Sequence, residues 1–264
     1  MPPLNDTWSN GRAYERFMGR WSTLITQKFL QWLAIPPGYH WGDVGCGTGT
    51  LTQVILNAYR PREVIAIDSS SEFIVYAKNS ITHPNIRFQV GLAQALDLPT
   101  NSMDVMVSGL VLNFVPQPET AMAEMSRVTK PGGVVGVFLW DYAEGMEMLR
   151  HFWDAASTLD EKAKVLDEGN RFPLCREGAL EKLAKETRLK QVEALPIEIL
   201  TVFQNFDDYW MPFLGNVGPA PSYCMSLHSE DRQQLESQLR DALPIAKDGS
   251  IPLKARAWAV KGYI

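Results

Sequence analysis

The stretch DVGCGTGT, residues 43–50, decides the fold of this chain. It ends a segment with the pattern of a strand and begins a segment with the pattern of a helix. Three alternate glycines let the backbone turn sharply and approach a ligand closely, with the N–H groups of the helix directed at it. A tight turn without a ligand is the alternative interpretation. The dinucleotide fingerprint GxGxxG has its last glycine where this chain has Thr50, which disfavours a nicotinamide dinucleotide.

The next predicted strand, residues 63–68, ends in an acidic residue. Asp68 follows the loop at roughly the 20-residue spacing at which an acid hydrogen-bonds ribose hydroxyls and repels a 2′-phosphate. Both features follow predicted strands at their carboxyl ends, where open α/β sheets bind their ligands. The loop and the acid together predict a site for an adenosine-type ligand.

Strand patterns alternate with helical patterns over the first half of the chain. This alternation predicts an α/β fold, in which a parallel sheet has helices on both faces. Lys130-Pro131-Gly132-Gly133 is a helix-ending sequence and separates the last helix of this half from its last strand. The predicted strands are 40–44, 63–68, 86–90, 103–109 and 133–140, and the predicted helices are 49–58, 71–80 and 118–129.

The remaining segments follow a different pattern. A helix with one apolar face is predicted over 12–33, with Gly19 as a break or a bend. After Asp141 the alternation stops, and an aromatic stretch runs from Phe203 to Phe213. Those aromatic residues indicate either a hydrophobic core or the wall of an apolar pocket. Also predicted are helices at 145–159, 176–187 and 229–241, strands at 190–202 and 253–263, and a loose Pro/Gly segment at 215–223.

Composition limits the classes of partner. Of 264 residues, 45% are hydrophobic and 21% charged, which is typical of a globular protein with a sizeable core. The formal net charge of −5 and the mixed charge pattern give nucleic acid no reason to bind, so we expect no nucleic-acid partner. Three widely spaced cysteines form no metal-binding motif, and no metal is predicted. No signal-peptide pattern and no apolar run near the ~20 residues of a membrane span occur, so a cytoplasmic location is expected.

The chain resembles the class I S-adenosylmethionine (SAM)-dependent methyltransferases, in the branch that includes ubiquinone/menaquinone-biosynthesis enzymes. The resemblance covers residues 14–140, and the matching stretches are YERFMGRWS, DVGCGTGTLT, VIAIDSS, GLAQALDLPTNSMDVMVSGLVLNFV and EMSRVTKPGGVVGV. It implies a Rossmann-like, seven-stranded, mostly parallel sheet between helices, with the last strand antiparallel and inserted between the fifth and the sixth. It also implies one domain over 1–264. The expected parts are a helical lid (1–36), a SAM-binding core (37–141), a helical and aromatic substrate cap (142–250) and the final strand (251–264).

The resemblance also implies which residues bind SAM. Asp43 would face the amino group of the methionine part, and Asp68 would bind the ribose hydroxyls. Arg20 would suit the methionine carboxylate and Tyr14 the sulfonium region, although both also fit the face of a capping helix. Leu92 replaces an aspartate that many relatives use on the adenine, so Gln94 or a backbone carbonyl would have to serve there. The implied cofactor-binding set is Tyr14, Arg20, Asp43, Gly45, Cys46, Gly47, Asp68, Ser69, Ala93, Gln94, Ser108 and Leu110.

Methyl transfer requires alignment and exclusion of water more than covalent work by the protein, so no strong catalytic motif is expected. The candidate catalytic residues are His151, as a proton acceptor, and Tyr14. The alternative for His151, an ordinary surface or helix–helix histidine, is favoured by its position on a predicted helix. Asp141 follows the fifth strand and is another possible base, and Asn113 would either orient an acceptor or cap a turn.

Three functions compete at this point. A SAM-dependent methyltransferase with a small, apolar or aromatic acceptor is favoured. A nicotinamide-dependent oxidoreductase is disfavoured by Thr50 and by the lack of a Tyr-x-x-x-Lys pair at Tyr14, Tyr59, Tyr76 and Tyr142. A SAM-binding module without catalysis is the third.

Overall fold

A computed structural model of the protein describes residues 15–187 and 189–264. Within those residues the sheet has seven strands in the order β3-β2-β1-β4-β5-β7-β6. This order confirms the predicted insertion of the last strand between the fifth and the sixth. The strands are β1 (His40–Val44), β2 (Glu63–Asp68), β3 (Ile86–Val90), β4 (Met103–Gly109), β5 (Thr129–Trp140), β6 (Lys190–Phe203) and β7 (Ile251–Tyr263).

The directions of the strands follow from their hydrogen bonds. Strands β1 to β5 pair in parallel, β1 with β2 and β4, β2 with β3, and β4 with β5. Near the start of β5, Gly132 N donates to Ile264 O at 3.0 Å, and just after its end Asp141 N donates to Arg256 O at 2.9 Å. The partner number falls as β5 advances, so β7 is antiparallel to β5, as predicted.

The helices lie between the strands and in the segments around them. In the part of the chain that the structure describes, a single π-helical turn, Glu15–Gly19, precedes the first α-helix. The α-helices are α1 (Arg20–Leu33), α2 (Thr50–Tyr59), α3 (Ser71–Ser80), α4 (Pro118–Val128), α5 (Glu147–Leu159), α6 (Ala163–Leu166), α7 (Glu168–Arg171), α8 (Ala179–Glu186), α9 (Phe206–Trp210), α10 (Pro219–Ser226) and α11 (Ser229–Ala242).

The chain forms two compact units. The sheet unit comprises residues 22–139, 177–197 and 257–264, and the described part of the cap unit comprises residues 15–21, 140–176 and 198–256. The boundaries between the units fall within α1, β5, β6 and β7, whereas the sequence predicts boundaries after residues 36, 141 and 250. The expected division into lid, core and cap stays a prediction.

In the sheet unit a glycine lets α1 approach the sheet closely. A Cβ atom on Gly136 of β5 would lie 2.9 Å from Leu33 and 3.0 Å from Phe29, both on α1. Phe29 is fully buried, and its ring centroid lies 4.5 Å from that of Phe138. Because protein interiors are closely packed, a side chain at position 136 would push the helix away. The part of the predicted apolar face that carries Phe29 and Leu33 thus packs on β5.

The cap unit has an aromatic core. Phe203, Tyr209 and Phe213 are fully buried, and the rings of Phe152 and Phe213 stack with centroids 4.4 Å apart. The hydroxyl of Tyr209 donates to Met148 O at 2.9 Å, which satisfies the polar group of a buried tyrosine. Of the two interpretations of the aromatic stretch, burial of these three side chains supports the core.

Two segments differ from their predictions. Strand β5 begins at Thr129 instead of at residue 133, so Lys130 to Gly133, which were expected to separate a helix from this strand, belong to the strand. Residues 215–223 were expected to be loose, yet α10 begins at Pro219 and buries Pro219 to Cys224. Pro219 and Pro221 lie in the first turn of the helix, where backbone N–H groups have no intrahelical acceptor. Proline at those positions therefore starts a helix instead of breaking one.

Candidate functional site

The glycine loop between β1 and α2 has the left-handed backbone that its sequence predicts. The φ angles of Gly45, Gly47 and Gly49 are +74°, +52° and +93°, a region that side-chain-bearing residues avoid. A Cβ atom on Gly45 would lie 2.3 Å from Val111, so this glycine is required for packing. A Cβ atom on Gly47 would have no heavy atom within 4 Å. The loop therefore leaves open space beside Gly47.

Asp68, at the end of β2, fastens the loop. Its Oδ2 accepts a hydrogen bond from Gly47 N at 2.9 Å, and its Oδ1 accepts one from Ser70 N at 2.8 Å. Burial raises the pKa of Asp68, and the backbone N–H groups of Ser70 and Gly47 oppose that rise. Each carboxylate oxygen can accept a further hydrogen bond. The acid predicted to bind a ribose thus lies against the loop with acceptor capacity left.

Asp43, on β1, is a fully buried carboxyl group. Thr52 Oγ1 on α2 donates to its Oδ2 at 2.6 Å. Its Oδ1 is also buried, and it accepts no hydrogen bond from any residue that the structure describes. Burial raises the pKa of Asp43 to about 7, the Thr52 hydrogen bond opposes the rise, and the charge of Asp68 adds to it. An unsatisfied buried carboxylate oxygen suits a ligand that carries a positive charge or an N–H donor.

Cys46 lies inside the loop but has no nucleophilic character. Its side chain packs in a cluster with Ala66 and Ile74. Burial, with the charges of Asp43 and Asp68, raises the pKa of this thiol well above its ordinary value. Because the thiolate is the reactive form, Cys46 is a packing residue.

The end of β4 completes this edge of the sheet. The buried hydroxyl of Ser108 donates to Val44 O at 2.8 Å, so it joins the ends of β1 and β4. Leu110 follows with a φ of +62°, a strained conformation for leucine that often marks a functional site. Both polar side-chain atoms of Asn113 are buried, and neither has a hydrogen-bond partner in the described part of the chain. Asn113 thus caps no turn, and its amide is available to a ligand.

The loop after β3 lies beside Asp68. Gly91 N donates to Asp68 O at 2.9 Å, which holds the start of this loop to the end of β2. Ala93 and Gln94 are half-buried and Ser69 is exposed. The structure thus brings to the carboxyl edge of the parallel strands ten of the predicted residues: Asp43, Gly45, Cys46, Gly47, Asp68, Ser69, Ala93, Gln94, Ser108 and Leu110. Their individual contacts with a cofactor stay predictions.

Arg20 is already engaged inside the cap unit. Its Nη1 donates to Asp208 Oδ1 at 2.8 Å, and its guanidinium lies 4.3 Å from the ring centroid of Trp21 and 4.7 Å from that of Phe203. Its Nε is buried and makes no hydrogen bond to a described residue. The sequence does not foresee the Asp208 partner. Binding of a ligand carboxylate by Arg20, which stays a prediction, would require it to share or leave Asp208.

The two catalytic candidates remain predictions. Tyr14 lies outside the residues that the structure describes. His151 is half-buried on α5. Asp141 is different, because Arg256 Nε donates to its Oδ2 at 2.8 Å and Glu144 N donates to its Oδ1 at 3.0 Å. A buried, paired carboxylate of this kind is a structural group, which argues against Asp141 as the base.

Two properties of the described residues bear on other classes of site. Residues 15–187 and 189–264 contain no group of three or more His, Cys, Asp or Glu side chains that could hold a metal ion. Among the same residues no helix combines the length and apolar character that crossing a membrane requires.

Thr52 belongs to the site although sequence reasoning missed it. Its hydroxyl donates to the Asp43 carboxyl at 2.6 Å, and its backbone N–H also lowers the pKa of that carboxyl. A threonine early in a helix is common and gives no signal of its own. The signal that would have indicated Thr52 is the order of the sequence: an acid, Asp43, then the glycine loop, then a threonine on the first turn of the helix.

Comparison with known proteins agrees with this arrangement. Residues 42–137 match the family described as "Methyltransferase domain". The chain is 35% identical over 129 residues to the demethylmenaquinone methyltransferase of Renibacterium salmoninarum, a match covering 49% of each chain. It is 30% identical over 139 residues to the 2-methyl-6-phytyl-1,4-hydroquinone methyltransferase of Synechocystis, covering 52% of this chain and 41% of that protein. The chain thus spans about half of the length of the curated relatives it matches.

Solved structures share the fold. A phosphoethanolamine N-methyltransferase 2 of Haemonchus contortus, solved in complex with S-adenosyl-L-methionine, superimposes with a TM-score of 0.61 at 15% identity. The match covers 99% of this chain and 58% of that one. An identity this low shows the likeness of fold alone. The match of residues 42–137 to the methyltransferase-domain family includes the glycine loop and its acid, in agreement with the resemblance.

Proposed function

We propose that this protein is a SAM-dependent methyltransferase that acts on a small-molecule acceptor. The observation that carries the proposal is the buried Oδ1 of Asp43, which accepts no hydrogen bond from the described residues. It lies on the strand that leads into a glycine loop with open space beside Gly47. A buried acceptor without a partner is costly, and a ligand that donates to it removes that cost.

The residues at the carboxyl edge fit SAM. The Asp43 carboxylate would hold the ammonium group, and the Asp68 carboxylate would accept from the ribose hydroxyls. Gly47 would let the ligand lie against the backbone, because its missing side chain leaves room there. When bound, SAM supplies a methyl group already activated by a sulfonium.

The protein would contribute alignment, exclusion of water and control of protons. Asn113 would orient the acceptor, since its amide can both donate and accept a hydrogen bond and is satisfied by no described residue. His151 would accept a proton where the acceptor loses one. Tyr14 would lie near the sulfonium, and Arg20 would reach the methionine carboxylate.

The names of the relatives favour an aromatic acceptor. The Renibacterium and Synechocystis proteins are named for a demethylmenaquinone and a hydroquinone. We therefore propose that this protein methylates an apolar, quinol-like acceptor. We propose no nucleic-acid partner. Cys46, Cys175 and Cys224 are buried free thiols, which is compatible with the expected cytoplasmic location.

Calorimetric titration tests the proposal. The wild-type protein should bind SAM and S-adenosylhomocysteine and should not bind NADH. Asp68→Ala removes a charged acceptor of hydrogen bonds worth about 1.5–3 kcal/mol each, so affinity should fall at least ~10-fold. The exposed Asp154→Ala is the matched control and should bind like the wild type.

Three outcomes would contradict the proposal in different ways. Binding of NADH without SAM would favour an oxidoreductase. Unchanged SAM affinity in Asp68→Ala would show that this acid does not bind the ribose. SAM binding without methylated product, across a panel of quinols and other small metabolites, would favour the non-catalytic module.

A further inference from the structure

The loop between β3 and β4 is fastened at two places. At its start, Gly91 N donates to Asp68 O at 2.9 Å. Further along, Leu96 N donates to Glu124 Oε2 on α4, also at 2.9 Å. Between them the backbone makes a turn that Ala95 N closes by donating to Leu92 O at 3.1 Å. The turn thus lies between two attachment points of the loop, one on β2 and one on α4.

Arg127 on α4 makes the second fastening rigid. Its Nε and Nη2 donate to the two oxygens of Glu124 at 2.6 and 2.9 Å. The same guanidinium donates to Leu98 O and Leu96 O, each at 3.0 Å, and to Thr100 Oγ1 at 3.2 Å. These five hydrogen bonds equal the number of N–H donors of an arginine, so a lysine, which has only three donors, could not make all of them.

Most of this arrangement acts on backbone atoms of the loop. Leu96 and Leu98 contribute their carbonyl groups, and Leu96 also contributes its N–H to Glu124. The hydrogen bond from Arg127 holds the pKa of Glu124 below its ordinary value, so the pair stays ionised near neutral pH. Bidentate arginine–carboxylate pairs fix geometry as well as adding energy. The pair therefore sets the path of the backbone through the turn.

We propose that Arg127 and Glu124 are positioning residues that hold the turn at residues 92–95 against the adenine base and thereby set the base selectivity of the cofactor site. This inference rests on the proposed function and on the family resemblance, which implies that Ala93 and Gln94 bind the cofactor and that Gln94 or a backbone carbonyl serves the adenine. Discrimination between an amino and an oxo group at the purine 6-position depends on which backbone or amide atom faces it. A displacement of about 1 Å is enough to lose that match.

The experiment compares two ligands across matched variants. Titration calorimetry measures S-adenosylhomocysteine and S-inosylhomocysteine, in which an oxo group replaces the 6-amino group. Arg127→Met should weaken the adenine ligand at least ~10-fold and reduce the preference for adenine over hypoxanthine. Arg127→Lys should restore part of both, since lysine keeps the charge and some donors. Arg87→Met is the control, because it removes an arginine–carboxylate pair with Glu63 that does not touch the loop.

The outcomes separate this inference from the proposed function. A wild-type protein that binds neither ligand contradicts both. If the wild type binds and Arg127→Met keeps both the affinity and the base preference, the positioning role alone is refuted. Equal weakening of both ligands, with the preference unchanged, would also refute it, because that result reveals a purely structural role. If Arg127→Met does not fold, Arg127→Lys and Glu124→Gln provide the same comparison.

Discussion

Replacement of Asp43 by asparagine should stabilise the ligand-free protein at pH 8 and weaken its binding of SAM. The buried carboxyl has a pKa raised from 3.8 to about 7, mainly by burial. Asparagine has nearly the same shape, keeps an oxygen that can accept from Thr52 and carries no charge. The substitution therefore removes the cost of a buried charge while it leaves the packing in place.

The pH range and the magnitude follow from the pKa values. Below pH 3.8 the carboxyl is neutral in both the folded and the unfolded chain, so it costs nothing. Between pH 3.8 and about 7 the unfolded chain loses the proton and the folded chain keeps it, so stability falls as pH rises. A shift of about 3 pKa units at 1.36 kcal/mol each sets an upper limit of roughly 4 kcal/mol above pH 7. Asp43→Asn should recover part of this, about 1–3 kcal/mol, or several degrees in melting temperature.

Urea denaturation of both proteins at a series of pH values, without SAM, measures the difference. The gain in the free energy of unfolding for Asp43→Asn should be near zero at the acid end and should reach a plateau above pH 7. Asp154→Asn, an exposed change of the same type, should show no such trend. A gain that is independent of pH, or a loss that grows with pH, would refute the assignment of Asp43 as a buried carboxyl that needs a ligand. The same variant should bind SAM at least ~10-fold more weakly, because it loses a charge-assisted contact.

Three further predictions concern the loop, the first helix and the cap. Gly47→Ala should cost only about 1 kcal/mol of stability yet abolish SAM binding, because its Cβ points into open space. Gly45→Ala should unfold more easily, because its Cβ meets a valine. Equal effects of the two substitutions in chemical denaturation and in calorimetry would contradict this contrast. Residues 12–25 should exchange amide hydrogens more slowly when SAM is bound, if they act as a lid; equal exchange would instead indicate a helix that is permanently docked. If His151 is a general base, His151→Gln should lower kcat at least ~10-fold with little change in SAM affinity. A variant with the same pH–rate profile as the wild type would show that His151 is an ordinary half-buried histidine.

The alternating half of the fold was predictable from local signals. Strand and helix patterns placed β1, β2, β3 and β4 at the residues where the structure has them. The strand at 253–263 was predicted from the sequence, and its place in the sheet came from the family resemblance. Asp68 was identifiable because the spacing between a glycine loop and a ribose acid is set by the geometry of one βαβ unit.

The contacts that the sequence did not reveal join distant or unmarked positions. Arg20 pairs with Asp208, which lies in a different part of the chain, so no local spacing reports the pair. The helix at Pro219 was missed because proline reads as a breaker unless its place in the first turn is known. Whether Asp43 has an unsatisfied oxygen depends on what surrounds it in three dimensions, and no pattern of residue types encodes that.

The inserted strand β7 makes the completion of the sheet depend on the order of synthesis. Strand β6 emerges from the ribosome before β7, yet in the sheet its one neighbour among the described strands is β7. Until residues 251–263 are made, β6 lacks the strand that it hydrogen-bonds in the sheet, and β5 also lacks its partner on that side. Unpaired apolar edges are prone to aggregate, so nascent chains that stall before residue 251 should be the species that chaperones hold.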